Sequence, residues 1–303
     1  MIVALTGATG FVGRAVLDIA GDREITIRAL TRRAQDEMVG VEWIDGSLSD
    51  TVSLETLCEG SDAVIHVAGL TNTPDPAAFR EANVEGTVRL IEAAKAKKVK
   101  RFVFVSSLAA REPGLSAYGA SKAEAEKLVE ASGLDWTTVR PPGVYGPRDV
   151  DYFEMFRSAK FGFLPLPPRG ASSLIHVNDL ARLLLDLVDA SPALVRRKTF
   201  EPDDGREGGW GHDELAKAIG QAVGRRVFAP HLPKNVLELG ARADKLLRGD
   251  KARLTADRVG YMTHPNWVSR SARKVPAAVW EPHVESREGL KLTAQWYREE
   301  GWL

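Results

Sequence analysis

Three residues of this chain could act together on one oxygen of a substrate: Ser107, Tyr118 and Lys122. In Tyr118-Gly-Ala-Ser-Lys122 the phenol and the ammonium stand one helical turn apart on one face. An ammonium beside a phenol favours the phenolate, so this spacing predicts a Tyr118 pKa drawn down from its usual ~10 toward working pH. Ser107 follows the apolar run Arg101–Val105 and could hydrogen-bond the same substrate oxygen, with Ser106 the alternative serine. With a nicotinamide alongside, such a set moves a hydride and a proton at one carbinol carbon. Tyr-x-x-x-Lys alone is common on helix surfaces. Its weight here comes from its place, after a serine-ended strand and behind a glycine-rich first turn.

That first turn must hold the cofactor. Met1-Ile-Val-Ala-Leu-Thr6 reads as a short buried strand, which breaks into glycines at 7, 10 and 13 and runs into the apolar-periodic stretch Phe11–Ala20. Gly7 permits the turn, Gly10 lets backbone approach a pyrophosphate, and Gly13 lets the helix pack close. Exposed amides and the positive helix end then favour an anion. The cofactor would lie along Gly7, Thr9, Gly10, Phe11, Val12 and Gly13. A second strand, Ile25–Leu30, leads to Arg32 and Arg33, nineteen and twenty positions past Gly13. An acidic residue there would hold the ribose hydroxyls of NAD, and an arginine the 2′-phosphate of NADP. Two guanidiniums favour NADP over NAD, although arginines in a loop can also simply be solvated.

Further strands are expected at Val41–Ile44, Ala63–Val67, Arg101–Val105, Trp136–Arg140 and Lys198–Glu201, with helices at Asp75–Lys97, Ala117–Ser132, Asp213–Val223 and Val284–Tyr297. Strand and helix alternating at this spacing predict an α/β fold, a Rossmann-type doubly wound parallel sheet. The small residues Val67, Ala68 and Gly69 would let the adenosine and ribose side lie against the backbone. Past Gly146-Pro147 the rhythm fails. Residues 1–146 with 176–202 are expected to form the NAD(P)-binding domain, and 147–175 with 203–303 a smaller, mainly helical substrate lobe with several exposed-looking tryptophans. The stripe Tyr152-Phe153-Met155-Phe156 reads as core, with a substrate wall the sharper alternative. His66 reads as a packed structural histidine, His176 as part of a capping network, and Cys58 as a small buried apolar residue.

These residues resemble the extended short-chain dehydrogenase/reductase family, also called the NAD-dependent epimerase/dehydratase family. The resemblance rests on Thr6-Gly-Ala-Thr-Gly-Phe-Val-Gly13, Asn83-Val-Glu-Gly-Thr87, Val105-Ser-Ser107, Tyr118–Lys122, Arg140-Pro-Pro-Gly-Val-Tyr-Gly-Pro147 and His176-Val-Asn-Asp-Leu-Ala181. It implies that Ser107 orients the substrate oxygen, that Tyr118 is the acid/base, and that Lys122 assists it and holds the nicotinamide ribose. It also implies that backbone around Pro141, Gly143 and Val144 flanks the nicotinamide, and that Asn83 stands near the active site. The family often carries Gly-Asp-Leu-x-Asp after the third strand, its first aspartate binding adenine. Here the stretch is Gly46-Ser-Leu-Ser-Asp50, so Ser47, beside Leu48, would make that contact. Many nucleotide-sugar members carry asparagine where Gly143 stands, and the Thr-Asp-Glu triplet of the 4,6-dehydratases is missing around Ser107.

Composition narrows the rest. Lysine plus arginine number 41 and so do aspartate plus glutamate, which gives no global field toward nucleic acid or an anionic membrane. No apolar run approaches bilayer-spanning length, and no basic leader precedes the first strand. A single cysteine fits a reducing cytoplasm, and the remaining histidines, at 212, 231, 264 and 283, lack metal-ligand spacing. The expectation is an NAD(P)-dependent oxidoreductase of a ketone or secondary alcohol, taking a small-molecule substrate, without a metal. A homodimer through the helices around 83–94 and 117–132 is possible. A nucleotide-sugar epimerase with bound NAD is the alternative, and a non-catalytic cofactor-sensing regulator the alternative of another class.

Overall fold

A computed structural model describes residues 1–249 and 252–303. The chain begins β1 (Ile2–Thr6), α1 (Phe11–Gly21), β2 (Thr26–Thr31), β3 (Val41–Asp45), α2 (Thr51–Cys58), β4 (Ala63–His66), α3 (Pro76–Phe79), α4 (Gly86–Ala96), β5 (Arg101–Val105), α5 (Ala117–Ala131) and β6 (Trp136–Val139). There follow β7 (Gly143–Tyr145), α6 (Asp151–Lys160), β8 (Ala171–Ser172), β9 (Leu174–His176), α7 (Val177–Asp189), α8 (Pro192–Val195) and β10 (Lys198–Phe200). The rest is β11 (Trp210–Gly211), α9 (His212–Ala222), α10 (Lys234–Arg248), α11 (Ala256–Met262), β12 (Asn266–Trp267) and α12 (Ser286–Glu299).

Seven strands form one parallel sheet in the order β10-β6-β5-β4-β1-β2-β3. This is the doubly wound Rossmann-type sheet expected from the sequence, and the order reverses between β1 and β4, where ligands of such sheets bind. The strands are apolar without alternation because both faces are covered. In β1, Val3 and Leu5 enter the core under α1 and α7, whereas Ala4 enters the core under α2, α4 and α5. In β5, Val103 and Val105 take the first side, and Phe102 and Phe104 the second. Cys58 lies fully inside the second core.

Two expectations needed correction. The helix read as unbroken over Asp75–Lys97 contains a π-helical turn, Arg80–Glu85, between α3 and α4. Such a wide turn shifts the helix phase; here Asn83 is turned off the sheet-facing stripe toward the loop after β4. The C-terminal tryptophans are also not uniformly exposed. Trp210 and Trp280 are buried, with indole N–H groups donated to Asp204 Oδ2 (2.8 Å) and the Asp179 carbonyl (3.1 Å). Each buried indole N–H thus has an acceptor, one six residues away and one from a distant segment, which makes the burial possible.

A third apolar core joins Tyr145, Phe156, Trp210, Ile219, Leu290 and Tyr297 beyond the carboxyl ends of the strands. Phe156 is fully inside it, with Tyr152, Phe153 and Met155 packed alongside, so that stripe is largely core. The sheet edge is tied to this region by buried charges. Glu201, fully buried after β10, faces Arg111 at 3.3 Å and Arg140 at 3.5 Å, and accepts the Arg270 backbone N–H at 2.8 Å. Arg140 also pairs with Glu126 of α5 at 2.6 Å, whereas Arg111, besides Glu201, has two backbone carbonyls and the Trp267 ring but no second carboxylate within 4.0 Å among the described residues. Glu201→Ala would strand Arg111 without a counter-charge. We expect it to cost about 3–5 kcal/mol in denaturant unfolding. A loss below about 1 kcal/mol would show the network to be solvated.

Candidate active site

The turn after β1 has the shape an anion needs. Gly7 has φ +76°, and a Cβ added there would lie 2.7 Å from the Ala68 amide nitrogen. A Cβ on Gly13 would lie 2.0 Å from the Gly7 carbonyl oxygen. Gly10 donates its N–H to that same carbonyl at 3.0 Å and starts α1 with no side-chain cap. The first-turn amides of α1 therefore remain available to a bound anion. Thr9 and Gly10 are exposed at this turn, while Phe11 and Val12 pack partly into the core beside α7.

Beyond β2, Arg32 and Arg33 are exposed, and neither has a carboxylate within 4.0 Å among the described residues. A third cation reaches the same loop. Arg14 of α1 donates to Gln35 Oε1 at 2.6 Å and lies over the Trp43 ring, 5.8 Å from its centroid. Sequence reasoning passed over Arg14; its place directly after Gly13, on the first helical turn facing β2, was the available signal. Ser47 shares a hydrogen bond with the Ser49 hydroxyl (2.8 Å), and the Leu48 side chain packs on Gly86.

On the other side of the switch point the backbone after β4 is pinned. Ala68 donates its N–H to Thr6 Oγ1 at 3.2 Å, beside Val67, which packs on the core under α1. A Cβ on Gly69 would stand 3.0 Å from Asn83 Oδ1 and 3.7 Å from Lys122 Nζ, so the missing side chain leaves room next to the ammonium. Asn83 accepts from the Leu70 N–H (2.7 Å) and donates to the Leu70 carbonyl and Ser121 Oγ, both at 2.9 Å. It clamps the loop after β4 to α5. His66 is sandwiched between Thr6 Oγ1 (2.7 Å) and Thr87 Oγ1 (2.9 Å), and burial with the nearby Lys122 charge pushes its pKa down to about 3. It is a neutral packed histidine.

Ser107 stands just past the end of β5, and Tyr118 and Lys122 lie on the first turns of α5. Ser107 Oγ accepts the Ala109 N–H at 3.1 Å and lies close enough to the Tyr118 phenol to lower its pKa, whereas the Ser106 hydroxyl is buried without a partner among the described residues. The phenol pKa lies above its usual value, not below it as the spacing predicts. Burial pushes Tyr118 up to about 12, with the Ser107 hydroxyl pulling weakly the other way. Lys122 does not act on the phenol: its Nζ donates to the Val105 carbonyl (2.7 Å) and lies 4.5 Å from the Phe104 ring centroid. Burial pushes the ammonium itself down to about 8.

Pro141 is buried and its carbonyl accepts the Leu108 N–H at 3.0 Å; Val144 packs on the core under α1 and α7. At Gly143, a Cβ would lie 2.1 Å from the Tyr152 hydroxyl. Tyr152 thus occupies the space an asparagine side chain would need. His176 Nδ1 accepts the Asn178 N–H at 3.2 Å, which is its capping role.

One element found only in three dimensions closes the site. Asp257, on the first turn of α11, accepts the backbone N–H groups of Ala117 and Tyr118 at the start of α5. Tyr261, one turn on, places its ring 6.0 Å from that of Tyr118, with Phe79 at 5.8 Å on the phenol ring as well. Two orphan donors of α5 are thereby satisfied by a negative charge from 140 residues away. Asp257→Ala should cost about 0.5–2 kcal/mol of stability. As a positioning residue it should lower kcat while leaving cofactor affinity unchanged, and Asp257→Glu should recover part of the loss. An unchanged kcat in the alanine variant would reduce Asp257 to a structural cap.

A sequence profile for a family described as NAD(P)H-binding matches residues 7–191. A ceramide reductase of Caulobacter vibrioides is 33% identical over 312 aligned residues, covering 100% of this chain and 96% of that protein. A UDP-glucose 4-epimerase of Vibrio cholerae is 26% identical, covering 97% of this chain and 94% of its own. Among solved structures, MoeE5 in complex with UDP-glucose and NAD superposes with a TM-score of 0.77 at 20% identity, covering 99% of both chains. That last likeness is one of fold.

Proposed function

Because the chain belongs to the extended short-chain dehydrogenase/reductase family and is an NAD(P)-dependent enzyme of that superfamily, we propose that it reduces a ketone to a secondary alcohol with NADPH. The observation that carries this reading is the nearness of Ser107 to a Tyr118 phenol that burial keeps protonated, beside a buried Lys122. The glycine cradle and the uncapped start of α1 fit a pyrophosphate. Arg14, Arg32 and Arg33 would surround a 2′-phosphate, and Lys122 and Gly69 would border the nicotinamide ribose. When bound, NADPH supplies the hydride for the carbonyl carbon. The chain's own residues do the rest. Ser107 fixes the carbonyl oxygen by hydrogen bonding, and Tyr118 gives that oxygen its proton. The phenolate left behind regains its proton from solvent before the next turnover.

The substrate lies, in this reading, beneath the lobe of residues 147–175 and 203–303. Phe79 and Tyr261 flank the phenol with aromatic rings, and Tyr152 fills the place of the nucleotide-sugar asparagine at Gly143. Both features favour an apolar ketone over a sugar nucleotide. Full-length similarity to a ceramide reductase points the same way, toward an amphiphile. The similarity to a UDP-glucose 4-epimerase keeps epimerisation as the second reading.

Titration of NADPH and NADH into the purified protein, alongside Arg32→Ala, is the test. We expect NADPH to bind about 10–100-fold more tightly than NADH, and Arg32→Ala to remove much of that preference, each charge-assisted contact being worth about 1.5–3 kcal/mol. Tight NADH binding indifferent to Arg32, with sugar-nucleotide interconversion and no net redox change, would replace this reading with the epimerase.

A further inference from the structure

A patch away from the cofactor turn combines exposed aromatic rings with unpaired cations. Residues 162–166 and 226–232 run side by side as parallel extended segments, the Phe228 N–H bonding the Gly162 carbonyl (2.9 Å) and the Leu164 N–H the Phe228 carbonyl (3.0 Å). Side chains alternate between two faces. Leu164 and Leu166 turn inward onto Ala216, with Val227 and Ala229 packed against them. The opposite parity turns Phe163 and Phe228 outward, 47% and 70% exposed with their rings 6.2 Å apart, and Phe161, at the end of α6 just before them, is 81% exposed.

Single exposed apolar residues are ordinary, but three clustered phenylalanines are not. Beside them in the chain stand Lys160, Arg225 and Arg226, all exposed and none with a carboxylate within 4.0 Å among the described residues. Helix α10 begins just after this pair and turns Leu239, Leu246 and Leu247 to solvent, 66%, 90% and 84% exposed, while Leu237 and Ala241 bury another side.

We propose that this face docks on the surface of an anionic phospholipid bilayer. Aromatic rings are favoured at the headgroup level, and lysine and arginine beside them meet lipid phosphates. No helix among the described residues is long and apolar enough to cross a membrane, so the association is interfacial. The chain's summed charge is zero, so the attraction is local and invisible to the global balance that spoke against membranes. A second copy of the chain is a poorer occupant, because an isologous contact would set the same three cations against one another. The docked lobe also carries α11, whose Tyr261 covers the Tyr118 ring, so the same lobe meets both bilayer and proposed site. The docking does not depend on the redox reading.

The test is flotation of the purified full chain with vesicles of phosphatidylcholine alone or mixed with phosphatidylglycerol. Binding is expected to the anionic vesicles, and to weaken as salt rises. Phe161→Ser combined with Phe228→Ser should lower the bound fraction about tenfold or more, and Lys160→Glu with Arg225→Glu and Arg226→Glu should abolish the anionic preference. All five side chains are exposed, and unchanged thermal melting and NADPH affinity would confirm intact folds. No flotation with either vesicle would overturn the proposal, as would equal flotation of wild type and variants. A wild-type dimer that the phenylalanine variants convert to monomer would also overturn it, assigning the face to self-association.

Discussion

Tyr118→Phe is expected to lower kcat/KM for ketone reduction by about 10²–10⁴-fold, the usual contribution of a positioned general acid. The ring, packed between Phe79 and Tyr261, keeps its place, so NADPH affinity and the melting temperature should stay close to wild type. A variant retaining more than about a tenth of wild-type activity would remove Tyr118 from the chemistry. The pH profile offers a second reading of the same group. Burial holds the phenol at about 12, so it remains a proton donor throughout the neutral range. Lys122, pushed down to about 8, loses its charge above that pH. Reduction should be level below pH 8 and fall above it, while oxidation of the alcohol, which needs the phenolate, should rise with pH. The sign for stability is opposite to that for reduction. Between about 8 and 10.5 the unfolded chain holds a proton that the folded Lys122 does not, so this group's contribution to stability increases as pH rises through that window.

Gly13→Ala is expected to be the most damaging single methyl in the molecule. The added carbon would stand 2.0 Å from the Gly7 carbonyl and 2.7 Å from Ala8 Cα, both backbone atoms at the end of a central strand. Neither can rotate away, so α1 must lift from β1 or the turn must open. Overpacking of this kind costs about 1–3 kcal/mol and occasionally more. The same movement misaligns the first-turn amides, so NADPH and NADH should both lose affinity by at least about tenfold. Gly21→Ala, where an added Cβ meets nothing within 4 Å, is the control and should bind normally. Unchanged cofactor affinity in Gly13→Ala would show that the turn adapts and that the cradle is not rigid.

The sequence by itself determined the parallel sheet and the glycine turn between its first strand and helix. Both follow from local patterns: unalternating apolar runs demand cover on two faces, and Gly7, Gly10 and Gly13 between a strand and a helix have few other uses. The Tyr118–Lys122 spacing likewise brought two candidate groups to one helix face, and the bonded environments of His66 and His176 match their bland readings. The balance of forces inside the site was beyond it. Spacing could not reveal that Lys122 reaches the Val105 carbonyl instead of the phenol, or that burial outweighs charge at Tyr118. A pKa depends on the dielectric and on neighbours supplied by several elements, and no single helix carries that information. Asp257 and Tyr261 lie about 140 residues from the helix they clamp, Arg14 gains meaning only by reaching the loop of Arg32 and Arg33, and Tyr152 explains Gly143 only by touching it. Tertiary structure alone decided these, because contacts between distant segments are set by how the lobes pack over the sheet and leave no periodic trace in either segment.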